Sequence, residues 1–261
     1  METKQQRDQT NGKNDTPVEV RDLHKSFGRQ KVLDGIDFSA RHGETLAVLG
    51  RSGTGKSVLL KLVVGLEKPD AGSIEVLGKD VTRIPLRDLN VVRARIGFLF
   101  QDSALYDSMT VGENVAFPLT HGQIHSEGNG NSTADQKVSE LLEFVGLKDA
   151  AAKMPGELSG GMKKRAALAR ALALDPDLLL CDEPTAALDP ITTHEIETLL
   201  ERLQRERHVA TLVVTHDLRS ARRIASRLAF MHEGTFVFDG PFDQLQKSTD
   251  PFVAEYLKLA S

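Results

Sequence analysis

Lys56 and Ser57 close the run Gly50-Arg51-Ser52-Gly53-Thr54-Gly55-Lys56-Ser57, whose residue types and spacing suit a phosphate chain. Gly50, Gly53 and Gly55 free the backbone to curl, so that successive N–H groups, those of Arg51, Ser52 and Thr54 among them, can turn toward an anion. Lys56 offsets the charge of β- and γ-phosphates, and Ser57 offers a hydroxyl to Mg²⁺. A chance Lys-Ser after a glycine-rich turn is the plain alternative. It is disfavoured because an apolar run, 45–49, precedes the loop and a helical stretch opening near Val58 follows it. That helix would aim the positive end of its dipole at the phosphates.

A second group of residues supplies acid, base and amide chemistry. The apolar run 178–181 ends in Asp182-Glu183. Asp182 is expected to hold Mg²⁺, and Glu183, leaving the strand differently, to act as general base on the attacking water. Two acids at a strand end could equally be a solvated turn; their pairing with Lys56 argues otherwise. Gln101 follows the apolar run 96–100, where its amide oxygen can coordinate Mg²⁺ or orient water. His216 follows the run ending at Thr215, where an imidazole can hydrogen-bond a γ-phosphate and sense its loss. Phe27 offers a flat face for adenine, with a core position as the alternative.

Ser159-Gly160-Gly161 stands before a helical stretch, 162–174. Ser159 is a natural N-cap, which is the bland reading. In a head-to-tail pair of chains, the two glycines would let bare N–H groups approach a γ-phosphate. Asp189, in Ala187-Leu188-Asp189, is expected at the junction of such a pair. Lys163, Lys164 and Arg165 read as a solvated helix face, and Cys181, among apolar neighbours, as an inert buried thiol.

The elements that must carry these residues alternate. Half-exposed strands are expected at 17–23 and 35–40, and buried central strands at 45–49, 96–100, 178–181 and 210–214. Helices lie between them, so a mostly parallel sheet covered on both sides follows. A terminal hairpin is expected from 227–231 and 235–238, joined by Glu233-Gly234. Residues 102–175 lack a strand-like run and read as an α-helical subdomain, with helices at 138–145 and 162–174. The stretch 122–135, rich in Gly, Asn, Ser and Thr, reads as a flexible surface loop. Residues 1–17 are polar and read as a disordered tail ahead of one domain, 18–261.

Composition narrows the partners. The 261 residues carry a net charge of −4, so no global basic field speaks for nucleic acid. One cysteine rules out an intramolecular disulfide. No stretch of 18 apolar residues occurs, so membrane work would need a partner.

In this order, the six motifs from Gly50 to His216 resemble the ATP-binding subunit of an ABC transporter, from about Val18 to the C-terminus. The resemblance implies an α/β P-loop NTPase with a mostly parallel core sheet, an N-terminal antiparallel β part and the helical subdomain. It implies ATP and Mg²⁺ as ligands, a homodimer in the ATP-bound state in which Ser159, Gly160 and Gly161 reach the partner's ATP, and an integral membrane permease. Most such ATPases carry Gln where Met162 stands, so a polar role there is in doubt. Segments 52–61, 97–105, 116–119 and 156–171 look like the ATPases of Mla-type and Mce-associated lipid transporters, which share Val58 and Met162. This implies phospholipid traffic from the cytoplasmic side of a bacterial inner membrane, with a possible accessory subunit and periplasmic lipid-binding protein. Alternatives are an ATPase for lipoprotein extraction or nutrient import and, more remotely, a soluble non-transport ABC protein.

Overall fold

The computed structural model describes residues 16–121 and 130–259. Among the described residues, ten strands form two sheets. The first is antiparallel, in the order β2-β1-β4-β5, built from β1 (Val18–Phe27), β2 (Gln30–Ala40), β4 (Ala71–Val76) and β5 (Lys79–Asp80). The second has the order β10-β9-β3-β8-β7-β6. In it β3 (Thr45–Leu49), β6 (Ile96–Leu99), β7 (Leu178–Asp182), β8 (Ala210–Thr215) and β9 (Arg227–His232) are parallel. β10 (Thr235–Gly240) pairs antiparallel with β9 through the expected Glu233-Gly234 turn.

Strands β3 and β8 are buried along their whole length, as their unalternating apolar sequences require. The first sheet, the helix α1 (Lys56–Val63) and one face of the parallel sheet share a core that includes Leu23, Ile36, Leu46, Leu59 and Ile74. A second core lies under the helices at 102–175, around Leu99, Leu141, Leu168 and Leu179.

Strands β1 and β2 run farther than the alternating segments at 17–23 and 35–40. Their ladder carries register irregularities between Val20 and Leu23 and between Lys25 and Ser26, which interrupt the period of two in the sequence. Strand β4, opening with Ala-Gly-Ser, gave no apolar run to recognise.

Helix α2 (Leu86–Arg93) precedes β6, and between β6 and β7 lie the helices α3 (Val111–His121), α4 (Gly130–Phe144) and α5 (Gly160–Ala171). Helix α4 corrects the loop expected at 122–135. It begins at Gly130, because the buried positions Val138, Leu141 and Leu142 anchor a helix that then propagates back through the polar residues before them. Residues 122–129, and residues 1–15 of the expected tail, lie outside the described residues. After β7 come α6 (Pro190–Arg207) and, beyond β8, α7 (Leu218–Ile224). The chain ends in α8 (Phe242–Leu245) and α9 (Pro251–Leu259).

Candidate functional site

Four adjacent strands point their carboxyl ends at one edge. The register sets Leu49 beside Thr215, Asp182 beside Val214 and Leu99 beside Cys181. The segments that follow β3, β7, β8 and β6 therefore meet there, bringing together the phosphate loop, Glu183, His216 and Gln101. In open α/β sheets this edge is where ligands bind.

The segments surround a cleft of about 440 Å³ lined by Phe27, Ser52, Gly53, Gly55, Lys56 and Ser57, with Val58, Gln101, Glu183 and His216. Gly55 has φ +103°, and a Cβ there would stand 2.8 Å from Val32 Cγ1 and 3.0 Å from the Val32 carbonyl, so the turn into α1 admits only glycine. Thr54 closes the loop by donating its hydroxyl to the Arg51 carbonyl at 2.9 Å. Phe27 is 47% exposed at the cleft's rim, so its core alternative is excluded. The Lys25 ammonium sits 5.0 Å from its ring centre.

Lys56 is buried and donates to the carbonyls of Gly50, at 2.8 Å, and Arg51, at 3.0 Å. Burial pushes its ammonium below the usual lysine range, against the attraction of Glu183 and Asp182. Ser57 donates its hydroxyl to Asp182 Oδ1 at 2.9 Å. Burial raises the Asp182 carboxyl above the usual range, a shift the Ser57 hydroxyl partly opposes.

Glu183 has φ +48°, a left-handed backbone that turns its side chain away from the line of β7. Its carboxylate is held on both oxygens. The Thr215 hydroxyl donates to Oε2 at 3.0 Å, His216 Nδ1 lies 2.9 Å from Oε1, and Lys56 Nζ stands 3.8 Å from the same oxygen. Thr215 carries no motif and was missed; its only sequence signal is its place before His216. The hydroxyl of Tyr256, on α9, donates to the His216 carbonyl, a tie between distant segments that the sequence does not announce.

The donors fit a polyphosphate with a divalent cation. The buried Lys56 ammonium rests on two carbonyls with the Glu183 carboxylate 3.8 Å away, and the Ser57 hydroxyl and Asp182 carboxylate form an oxygen pair. Among the described residues no three His, Cys, Asp or Glu side chains form a metal cage. Mg²⁺ characteristically takes one or two protein oxygens and completes its shell with phosphate and water.

Ser159, Gly160, Gly161 and Asp189 do not line this cleft. Ser159 caps α5, accepting from the Met162 N–H at 3.3 Å, and Ser159 and Gly160 are exposed. Gly161 is buried against α6, where a Cβ would meet Thr192 Cγ2 at 2.0 Å. Asp189 caps α6, its carboxylate accepting from the N–H groups of Ile191 and Thr192 and, at 2.6 Å, from the Thr192 hydroxyl. Cys181 is fully buried, and its thiol is pushed up to about 12.

The solvated face expected of Lys163, Lys164 and Arg165 is corrected for Lys164 and Arg165. Lys164 is 4% exposed and donates to the carbonyls of Phe100, Gln101 and Glu183. Arg165 reaches the Val145 carbonyl. Gly161, Lys164 and Leu168 follow one another at helical spacing and face inward together, a periodicity that three consecutive cations disguise.

A glycine-rich loop and a carboxylate held at the ends of parallel strands suit a nucleotide-hydrolysing domain. Residues 33–186 match the family described as ABC transporter. The chain is 40% identical over 258 residues to the protein TRIGALACTOSYLDIACYLGLYCEROL 3, chloroplastic, of Arabidopsis thaliana, covering 93% of this chain and 73% of that one. It is 42% identical over 224 residues to the methionine import ATP-binding protein MetN of Brucella abortus, covering 86% and 59%. An ATP-binding cassette solved as a dimer in a post-hydrolysis state with ADP and Pi superposes with a TM-score of 0.78 at 30% identity, covering 86% of this chain and 98% of that one. The chain belongs to the ABC transporter family, as its ATP-binding cassette, and is an ATPase. It spans 59% of the length of the methionine import relative.

Proposed function

We propose that this chain is the motor subunit of a membrane transporter, with two copies closing head to tail on two ATP molecules. The Glu183 carboxylate, held beside His216, Thr215 and Lys56, carries the reading. The loop N–H groups and Lys56 hold the β- and γ-phosphates. Ser57, Asp182 and Gln101 would hold Mg²⁺, which draws charge from the phosphate oxygens. Glu183 takes a proton from the attacking water, the water oxygen bonds the γ-phosphorus, and the bond to the ADP oxygen breaks. His216 hydrogen-bonds the γ-phosphate while keeping Glu183 in place. Phe27 stacks on adenine. Ser159 and Gly160 of the second copy complete the site from across the junction, which Asp189 helps to build. Their exposure and their absence from their own chain's cleft support this.

A groove lined by Phe98, Phe100, Tyr106, Phe117 and Leu174 suits a short cytoplasmic helix of a permease. Phe98 and Phe100 stack at 4.1 Å, and Tyr106 is 44% exposed. Leu105 and Met109, which share the loop, do not line it; Leu105 packs into the subdomain core. Among the described residues no helix is long and apolar enough to cross a membrane, which supports attachment through such a partner.

For cargo we favour phospholipid, moved from the cytoplasmic side of a bacterial inner membrane with a periplasmic lipid-binding protein and an accessory subunit. The resemblance to Mla-type ATPases and the relative named for trigalactosyldiacylglycerol support it. Nutrient import is the second reading, because the methionine import relative is as similar. Deleting the chain separates them: detergent sensitivity of the outer barrier is expected, whereas an intact barrier with lost uptake of one nutrient would select the second.

A further inference from the structure

We infer that Lys164 is a positioning residue that locks the Gln101 and Glu183 backbones together, so that α5 sets the alignment of the hydrolytic site. An ammonium has three N–H donors and no acceptor. Here all three are matched: Phe100 O at 3.3 Å, Gln101 O at 2.5 Å and Glu183 O at 3.2 Å. The side chain is 4% exposed and is not part of the nucleotide cleft, so it acts through backbone rather than through ligand. Glu183 has φ +48°, and just past Gln101 both Ser103 and Ala104 are left-handed, at φ +62° and +48°. Such non-glycine conformations are costly and persist where their surroundings over-determine them. Six residues along the same helix, Arg170 donates to the carbonyls of Ser103 and Ala104, at 3.0 and 2.7 Å. One helix therefore grips the Gln101 loop at two points and the base at one. The same helix begins at Ser159-Gly160, so its N-terminus faces the second copy while its cations hold the catalytic backbone.

The proposal rests on the roles given above to Gln101 and Glu183. Its test uses the full chain, with Mg-ATP turnover and ADP affinity measured for Lys164→Met, which removes every donor, and Lys164→Gln, which restores two. Misplacement of reacting groups by about 1 Å costs ~100-fold, so Lys164→Met should lose ~10- to 100-fold in kcat. Its ADP Kd should stay at the wild-type value, and Lys164→Gln should recover part of kcat. Wild-type kcat in Lys164→Met would overturn the inference. So would a joint fall of kcat, ADP affinity and Tm with no recovery in the Gln variant, which is the mark of a merely structural lysine. If the Met variant does not fold, the Gln variant decides: lowered kcat at unchanged ADP Kd supports, wild-type kcat overturns. Glu183→Gln runs alongside. Normal turnover there would remove the base assignment and this inference with it; an inactive Glu183→Gln beside a normal Lys164→Met would remove this inference alone.

Discussion

Glu183→Gln isolates proton transfer from everything else the carboxylate does. The side chain keeps its length and shape, and its partners can adapt. The Thr215 hydroxyl, now donating to Oε2 at 3.0 Å, can rotate to accept from an amide NH₂, and His216 Nδ1 at 2.9 Å can stay on the amide oxygen. Lys56 loses a carboxylate at 3.8 Å but keeps its bonds to Gly50 and Arg51. Binding of ATP should therefore survive. What disappears is the base, and general-base catalysis contributes ~10²–10⁴-fold. At about 1.4 kcal/mol per decade the barrier should rise by roughly 3–5 kcal/mol. Phosphate release at saturating Mg-ATP measures the loss. Size-exclusion chromatography with ATP should show an accumulated dimer, because the closed pair has lost its exit. Turnover within a few-fold of wild type, or loss of ATP binding alongside turnover, would refute the assignment.

Lys56→Ala should abolish productive ATP binding, since charge-assisted hydrogen bonds of ~1.5–3 kcal/mol each go with the ammonium; titration with a fluorescent ATP analogue reads it. Gly160→Leu should leave nucleotide affinity of the single chain intact and block the ATP-driven dimer, because Gly160 is exposed and a Cβ there would meet Leu188 Cδ2 at an ordinary 3.7 Å. Gly161→Ala, by contrast, drives a methyl toward Thr192 at 2.0 Å and should cost ~1–3 kcal/mol of stability, seen as a fall in Tm with or without nucleotide. Tyr106→Ala should reduce permease-stimulated activity while basal turnover stays near wild type; equal loss of both would mark a folding residue. Burial raises the Asp182 carboxyl, so its contribution to stability falls as pH rises from its ordinary value through the raised one. Asp182→Asn should therefore raise the Tm of the nucleotide-free protein at neutral pH while lowering kcat, and an unchanged Tm across pH 3–8 would contradict the sign.

The phosphate loop was legible because its chemistry is local: three glycines, Lys56 and Ser57 within eight residues, between a strand and a helix. Glu183 and His216 were legible because each follows an apolar strand. Hydrophobic runs place strand ends even when they leave sheet order open. Lys164 was not, since one sequence position cannot show that a cation will find three carbonyls from two segments. The start of α4 was obscured by Gly, Asn and Ser, residues of turns that here begin a helix fixed by burial farther on. The groove was not legible: Phe98 and Phe100 belong to a strand and its exit, Tyr106 to the segment after it and Phe117 to α3, and only the fold brings them together.

Phe100 and Gln101 are neighbours in the chain and belong to different sites, one to the apolar groove and the other to the nucleotide cleft. Successive residues leaving a strand point to opposite sides, so the division needs no special device. Its consequence is mechanical. The peptide between them is the one whose flanking carbonyls Lys164 holds, and the third carbonyl on that ammonium is Glu183's. On the proposed function, a helix seated in the groove would press on Phe100 and a ligand held by Gln101 would draw on its neighbour, so both would act on one short backbone tied through Lys164 to Glu183. Because coupling free energies are reciprocal, a groove occupant that favours one arrangement of this peptide must shift nucleotide affinity by the factor that nucleotide shifts its own. The Lys164→Met variant should therefore weaken that mutual dependence more than it weakens binding at either site.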